Sequence, residues 1–157
     1  MDQGSSLSGF QCGCGRLSYE LSAGHQCDIR TNESAPNAGV LDWLAQTDED
    51  RIFLSVVTIT ELRYGVERLA TGKRRDQLDK WLRKDLNSRF QERILPVDLA
   101  VADTCGKLVA RSESMGRPIE PRDVFIAATA EVHSLTLVTR NASDFEATVK
   151  SIVTPWT

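Results

Sequence analysis

Two stretches of this chain have no polar face. Residues 51–57 (Arg-Ile-Phe-Leu-Ser-Val-Val) and 135–139 (Leu-Thr-Leu-Val-Thr) are near-continuous apolar runs rich in β-branched side chains. A strand with one wet face alternates polar and apolar residues, whereas a run of this kind must be covered on both sides, which is the condition of a parallel sheet. Shorter runs at 93–97 and 151–153 read as further strands. The segments between them follow a helical period. Residues 38–45 place Val40, Leu41 and Leu44 on one face. Thr58 opens a second helix, with Glu61 in capping-box spacing, Leu62, Val66 and Leu69 as its stripe and Thr71-Gly72 as its end. A third, about 74–89, aligns Leu78, Trp81, Leu82 and Leu86. Residues 98–115 align Leu99, Ala102, Cys105, Leu108 and Val109, and a last helix runs from Pro121, suited to a first helical position, to His133. Strands alternating with helices predict an α/β fold, with a mostly parallel sheet between two helical layers.

At 157 residues and 41% hydrophobic content, the chain fits one packed core. Residues 1–27 differ in texture: rich in Gly and Ser and lacking a clear period, they read as an atypical, loosely packed N-terminal segment before a domain at 28–157. Cys12, Cys14, His25 and Cys27 offer soft ligands, but their spacing is unlike that of zinc sites, so zinc is not expected there. Cys105, on an apolar face, reads as a small buried hydrophobe. No apolar run approaches the ~20 residues of a membrane span, and no secretory leader is visible, which predicts a cytoplasmic protein. The net charge of −3 excludes a uniformly basic nucleic-acid coat. Residues 61–93, however, hold ten Lys/Arg against six Asp/Glu. A basic face beside an acidic site suits a polyanion that must reach a metal. A solvated helix surface would give the same count.

Chemistry is concentrated where strands hand over to helices. Glu61, Asp123, and Asn141 with Asp144 all fall at the carboxyl edge of the predicted sheet, where α/β folds bind ligands. Carboxylates gathered there repel one another unless a cation lies between them, and a divalent metal is the usual answer. Each also has a structural role available: Glu61 in a capping box, Asp123 complementing a helix dipole, Asn141 and Asp144 in a turn. Thr139 is placed to orient a carboxylate or a bound water, and Arg140 to hold a phosphate. Trp43, Trp81 and Trp156 read as core or interface residues.

From about Asp28 to Trp156, the sequence resembles the PIN-domain ribonucleases, in particular the VapC/FitB-type toxins of bacterial toxin–antitoxin pairs. The resemblance is carried by residues 53–69 (Phe-Leu-Ser-Val-Val-Thr-Ile-Thr-Glu-Leu-Arg-Tyr-Gly-Val-Glu-Arg-Leu), 121–130 (Pro-Arg-Asp-Val-Phe-Ile-Ala-Ala-Thr-Ala), 135–146 (Leu-Thr-Leu-Val-Thr-Arg-Asn-Ala-Ser-Asp-Phe-Glu) and Pro155-Trp156. It implies a PIN-like fold and hydrolysis of RNA with Mg²⁺ or Mn²⁺. Glu61, Asp123 and Asp144 would be metal ligands, with Asn141 at the fourth acidic position and Thr139 and Arg140 assisting. It also implies a cognate antitoxin and a homodimer, for which the apolar faces at 61–69 and 78–86 are candidate surfaces. One departure matters. The family opens with an apolar strand ending in Asp-Thr-Asn, which supplies the first acid and the central strand, and this chain has no such tripeptide. Glu20 and Asp28 are candidate substitutes for the acid, and residues 17–21 for the strand. Without the first acid, the resemblance implies an impaired nuclease, or an inactive protein that still binds antitoxin and self-associates.

Overall fold

The computed structural model describes residues 16–19 and 38–157. Five strands form one sheet: β1 (Arg16–Tyr19), β2 (Ile52–Ser55), β3 (Ile94–Leu95), β4 (Leu135–Val138) and β5 (Ile152–Val153). Their order is β3-β2-β1-β4-β5, and every neighbouring pair is parallel. The central slot is therefore filled by Arg16–Tyr19, which overlaps residues 17–21, the stretch that the sequence offered for it. Residues 1–15 and 20–37 lie outside the described residues, and with them the expectations for Cys12, Cys14, His25, Cys27, Glu20 and Asp28.

The helices are α1 (Ala38–Gln46), α2 (Val56–Glu67), α3 (Lys73–Lys80), α4 (Asn87–Arg89), α5 (Leu99–Ser114), α6 (Pro121–Val132) and α7 (Ala142–Phe145). They build two cores on opposite faces of the sheet. One joins Ile52, Leu54 and Val138 to Leu62, Val66, Leu82 and Leu86, with all three tryptophans packed against it. The other joins Leu137 to Val101, Cys105, Leu108, Val124, Ala127, Ala128 and Phe145. Adjacent Leu137 and Val138 point to opposite cores, as do Ile152 and Val153, so the period of two along a strand becomes the three-layer architecture. No described helix is long and apolar enough to cross a membrane.

Four local predictions are corrected. The strand at 51–57 ends at Ser55, whose Oγ accepts from the Val57 N–H at 3.2 Å and caps α2. Val56 and Val57, read as strand, are helical because packing outweighs their modest propensity. Thr58 and Glu61 therefore form no capping box. Second, α2 stops at Glu67 and not at Thr71. Third, α3 runs into α4 through a π-helical turn, Trp81–Leu86. Leu78, Leu82 and Leu86 recur every four residues, which overshoots an α-helical turn by about 40° per step, and a wider turn keeps them on one face. Fourth, the buried stripe of α5 is Val101, Cys105, Leu108 and Ser112, while Leu99 is 87% exposed. The strict three-residue spacing that begins at Leu99 drifts off the face, and the polar Ser112 concealed the true one. The stripes of α2 and of the Trp81–Leu86 turn are spent on the core, so they are not the self-association surface proposed from sequence. Arg93 anchors β3 to its surroundings. It donates to the carbonyls of Glu49, Ile52 (3.1 Å) and Arg89 (2.6 Å) and lies over the Phe90 ring.

Candidate functional site

Glu61 lies in the second turn of α2 and is only 5% exposed. A carboxylate so buried needs a counter-charge. Arg122 supplies one, with Nη1 3.4 Å from Glu61 Oε1. Arg122 belongs to the first turn of α6, which begins at Pro121, and the next residue is Asp123. Burial pushes the Asp123 carboxyl up to about 6, and the charges of Asp144, Glu61 and Glu120 push it the same way, against a smaller downward pull from Arg122. The structure thus brings Glu61, Asp123 and Asp144 into one electrostatic field, from α2, α6 and α7.

Ser55, and not Glu61, serves the start of α2. Asn141 occupies the cap position of α7, but its side chain makes no cap bond. Asp123 does stand in a first helical turn, where the dipole favours it, yet burial and then neighbouring charge outweigh that help. Thr139 is buried beyond the end of β4, and its Oγ1 accepts from the Asn141 N–H at 3.1 Å. That contact fixes the turn carrying Asn141 and Asp144. Arg140 is exposed beside it. Among the described residues, the cation whose charge bears on Asp123 is Arg122 and not Arg140.

The chain itself matches a known family. Residues 31–150 match the family model described as PIN domain. The chain belongs to the PIN-domain family. It is 37% identical over 121 residues to plasmid stability protein StbB of Pseudomonas syringae pv. tomato, covering 77% of this chain and 87% of that protein. It is 36% identical to toxin FitB of Neisseria gonorrhoeae over the same shares. A crystal structure of FitAcB from that organism superposes with a TM-score of 0.79 at 31% identity, covering 89% of this chain and 98% of the other. The matched stretch opens after β1, so the central strand of this PIN domain lies outside it.

The donors of this site suit a divalent cation. The acids supply only hard oxygens, as Mg²⁺ and Mn²⁺ require, and their mutual repulsion is the deficit that a cation relieves. Thr58 adds a hydroxyl one turn before Glu61; it is fully buried, and Oγ1 has no hydrogen-bond partner among the described residues. The charge and chemistry fit. No three His, Cys, Asp or Glu side chains among the described residues already converge as a cage, so water must complete the shell, as it does for Mg²⁺.

Sequence reasoning missed Glu120 and Arg122 as members of the site and misread Thr58 as a cap. Only Arg122 left a signal: a cation at a helix N-terminus opposes the dipole. The basic face also changes meaning. Arg63 and Arg83 pair with Asp79, Arg75 pairs with Glu67, and Arg89 pairs with Glu49. Much of the excess positive charge at 61–93 thus stitches α2 to α3 and α4 to the turn before β2.

Proposed function

We propose that the chain is a metal-dependent endoribonuclease, the toxin of a toxin–antitoxin pair. The observation that carries this reading is Asp123, whose carboxyl is lifted to about 6 by burial and, in the same direction, by the charges of Asp144 and Glu61. A carboxylate perturbed by burial and by specific charged neighbours is a functional-site candidate, and the carboxyl edge of such a sheet is where ligands bind. Asp123, Glu61 and Asp144 would hold Mg²⁺ or Mn²⁺, which when bound supplies an acidified water and a counter-charge for the phosphate. The remaining work falls to the chain. The Thr139 hydroxyl holds the turn that presents Asn141 and Asp144, and Arg140, exposed beside it, meets a phosphate. The ion pairs of Arg63, Arg75 and Arg83 keep the helices framing Glu61 in place.

Family likeness supports the substrate class, since relatives include VapC ribonuclease Y4jK of Sinorhizobium fredii, 33% identical over 124 residues. It supports the partner too: the FitAB complex bound to a DNA fragment superposes with a TM-score of 0.80 at 30% identity. The antitoxin and a second copy of this chain are accordingly its proposed partners. Leu41 and Leu44 of α1, both more than 40% exposed, leave apolar surface for such contacts. The test is cleavage of single-stranded RNA by purified protein with Mn²⁺. Asp123→Ala should lose about 100-fold or more of the activity. Equal cleavage by both proteins would assign it to a contaminant and sink the reading.

A second reading, partner recognition without catalysis, is favoured by the absence of Asp-Thr-Asn and of a preformed cage among the described residues. Tight antitoxin binding with no Mn²⁺-dependent cleavage would select it.

A further inference from the structure

The Glu61–Arg122 pair is lopsided. The Glu61 side chain is 7% exposed and that of Arg122 is 64% exposed. The carboxylate is fixed in the wall of the site, while the guanidinium reaches in from the rim and keeps most of its donors in water. The contact is 3.4 Å through one nitrogen, whereas a committed bidentate pair closes to about 2.7–2.9 Å through two. Arg122 also occupies the first turn of α6, where the aligned peptide dipoles disfavour a cation. Such a side chain is weakly held, and it reaches from the solvent, from which RNA arrives, to the buried Glu61. A guanidinium's fork suits a phosphate as well as a carboxylate.

We propose that Arg122 positions the RNA phosphate, and that it rests on Glu61 until a divalent cation takes over that carboxylate. This rests on the nuclease reading above. Arg122 and the cation answer the same negative charge, so each weakens the hold of the other on Glu61, and the coupling is reciprocal. Once released, the guanidinium stands at the rim beside Asp123, where it meets a phosphate oxygen and not the buried carboxylate.

The experiment uses the full chain, its Arg122→Ala variant and its Arg122→Lys variant. Mn²⁺ affinity is read without RNA, from the electron paramagnetic resonance of the free ion. Affinity for a short single-stranded RNA oligonucleotide is read by fluorescence anisotropy in Ca²⁺ across a salt series. Arg122→Ala should bind Mn²⁺ about three- to tenfold tighter, and RNA about tenfold more weakly, with a salt slope reduced by about one phosphate. Arg122→Lys should restore part of both. A merely structural arginine would not strengthen metal binding when removed. Unchanged or weaker Mn²⁺ binding by Arg122→Ala overturns the inference. Tighter Mn²⁺ binding with unaltered RNA affinity overturns it as well, leaving a counter-ion only. If the parent chain binds no Mn²⁺, the nuclease reading falls first and this inference with it.

Discussion

Asp123 keeps its proton to a pH near 6, where an unperturbed aspartate has lost it by 3.8. Folding therefore binds a proton that the unfolded chain would release, and stability falls as pH rises from about 3.8 to about 6. Below that window both states are protonated and the residue costs nothing; above it the full penalty remains. Asp123→Asn removes the penalty and spares Glu61 and Asp144 a repulsive neighbour. In chelator, the variant should match the parent near pH 3, below that window, and melt about 2–6 °C higher at pH 8, the gain being trimmed because water screens a half-buried group. A melting difference independent of pH would contradict the assignment. Asp123 opens α6 after another helix, α5, so no strand-to-helix handover marks it, whereas the place of Asp144 was legible in the sequence because the step from β4 to α7 locates a sheet edge. Arg122 was not, since its role depends on α2 and α6 meeting, 61 residues apart in sequence.

Elements were legible where a start signal marked them, as Pro121 marks α6, and blurred where packing overrode local preference. The Val56-Val57 pair reads as strand on propensity, yet Ser55 turns it into helix. Helix α1 presents the opposite conflict at Gly39. In a helix interior, glycine to alanine ordinarily gains about 1 kcal/mol. Here an added methyl would run into the carbonyl oxygen of Pro155 and the side chain of Thr157, which cross the helix at that point. A backbone oxygen cannot rotate aside as a side chain can, so steric cost outweighs propensity. Gly39→Ala should destabilise by about 1–3 kcal/mol, lowering the thermal midpoint by about 3–10 °C as the C-terminal segment is pushed off Gly39. A stabilised variant would show that the segment moves away freely.

At the scale of the molecule, the fold depends on a strand that the sequence offered only as a substitute, in a segment read as separate from the domain. The expected boundary at residue 27 places Arg16–Tyr19 outside, yet β1 hydrogen-bonds to both β2 and β4 and is the middle of the sheet. It was hard to read because four residues are too few for a period to stand out against a Gly- and Ser-rich background. Its neighbours have little else to hold them: β2 and β4 each have one other partner, β3 and β5, with two paired residues apiece. Without β1 the sheet becomes two separate two-stranded ribbons, and isolated ribbons are marginal in water. The two cores share this vulnerability, since Leu54 and Val138 line one of them from opposite sides of the gap. A chain beginning at Asp28 should therefore lose cooperative thermal unfolding, expose its apolar faces and be digested throughout by a non-specific protease. The full chain should resist cleavage across its helices. A truncated protein that melts cooperatively near the parent's midpoint would show that another segment can take the central slot, and that the domain is complete from residue 28.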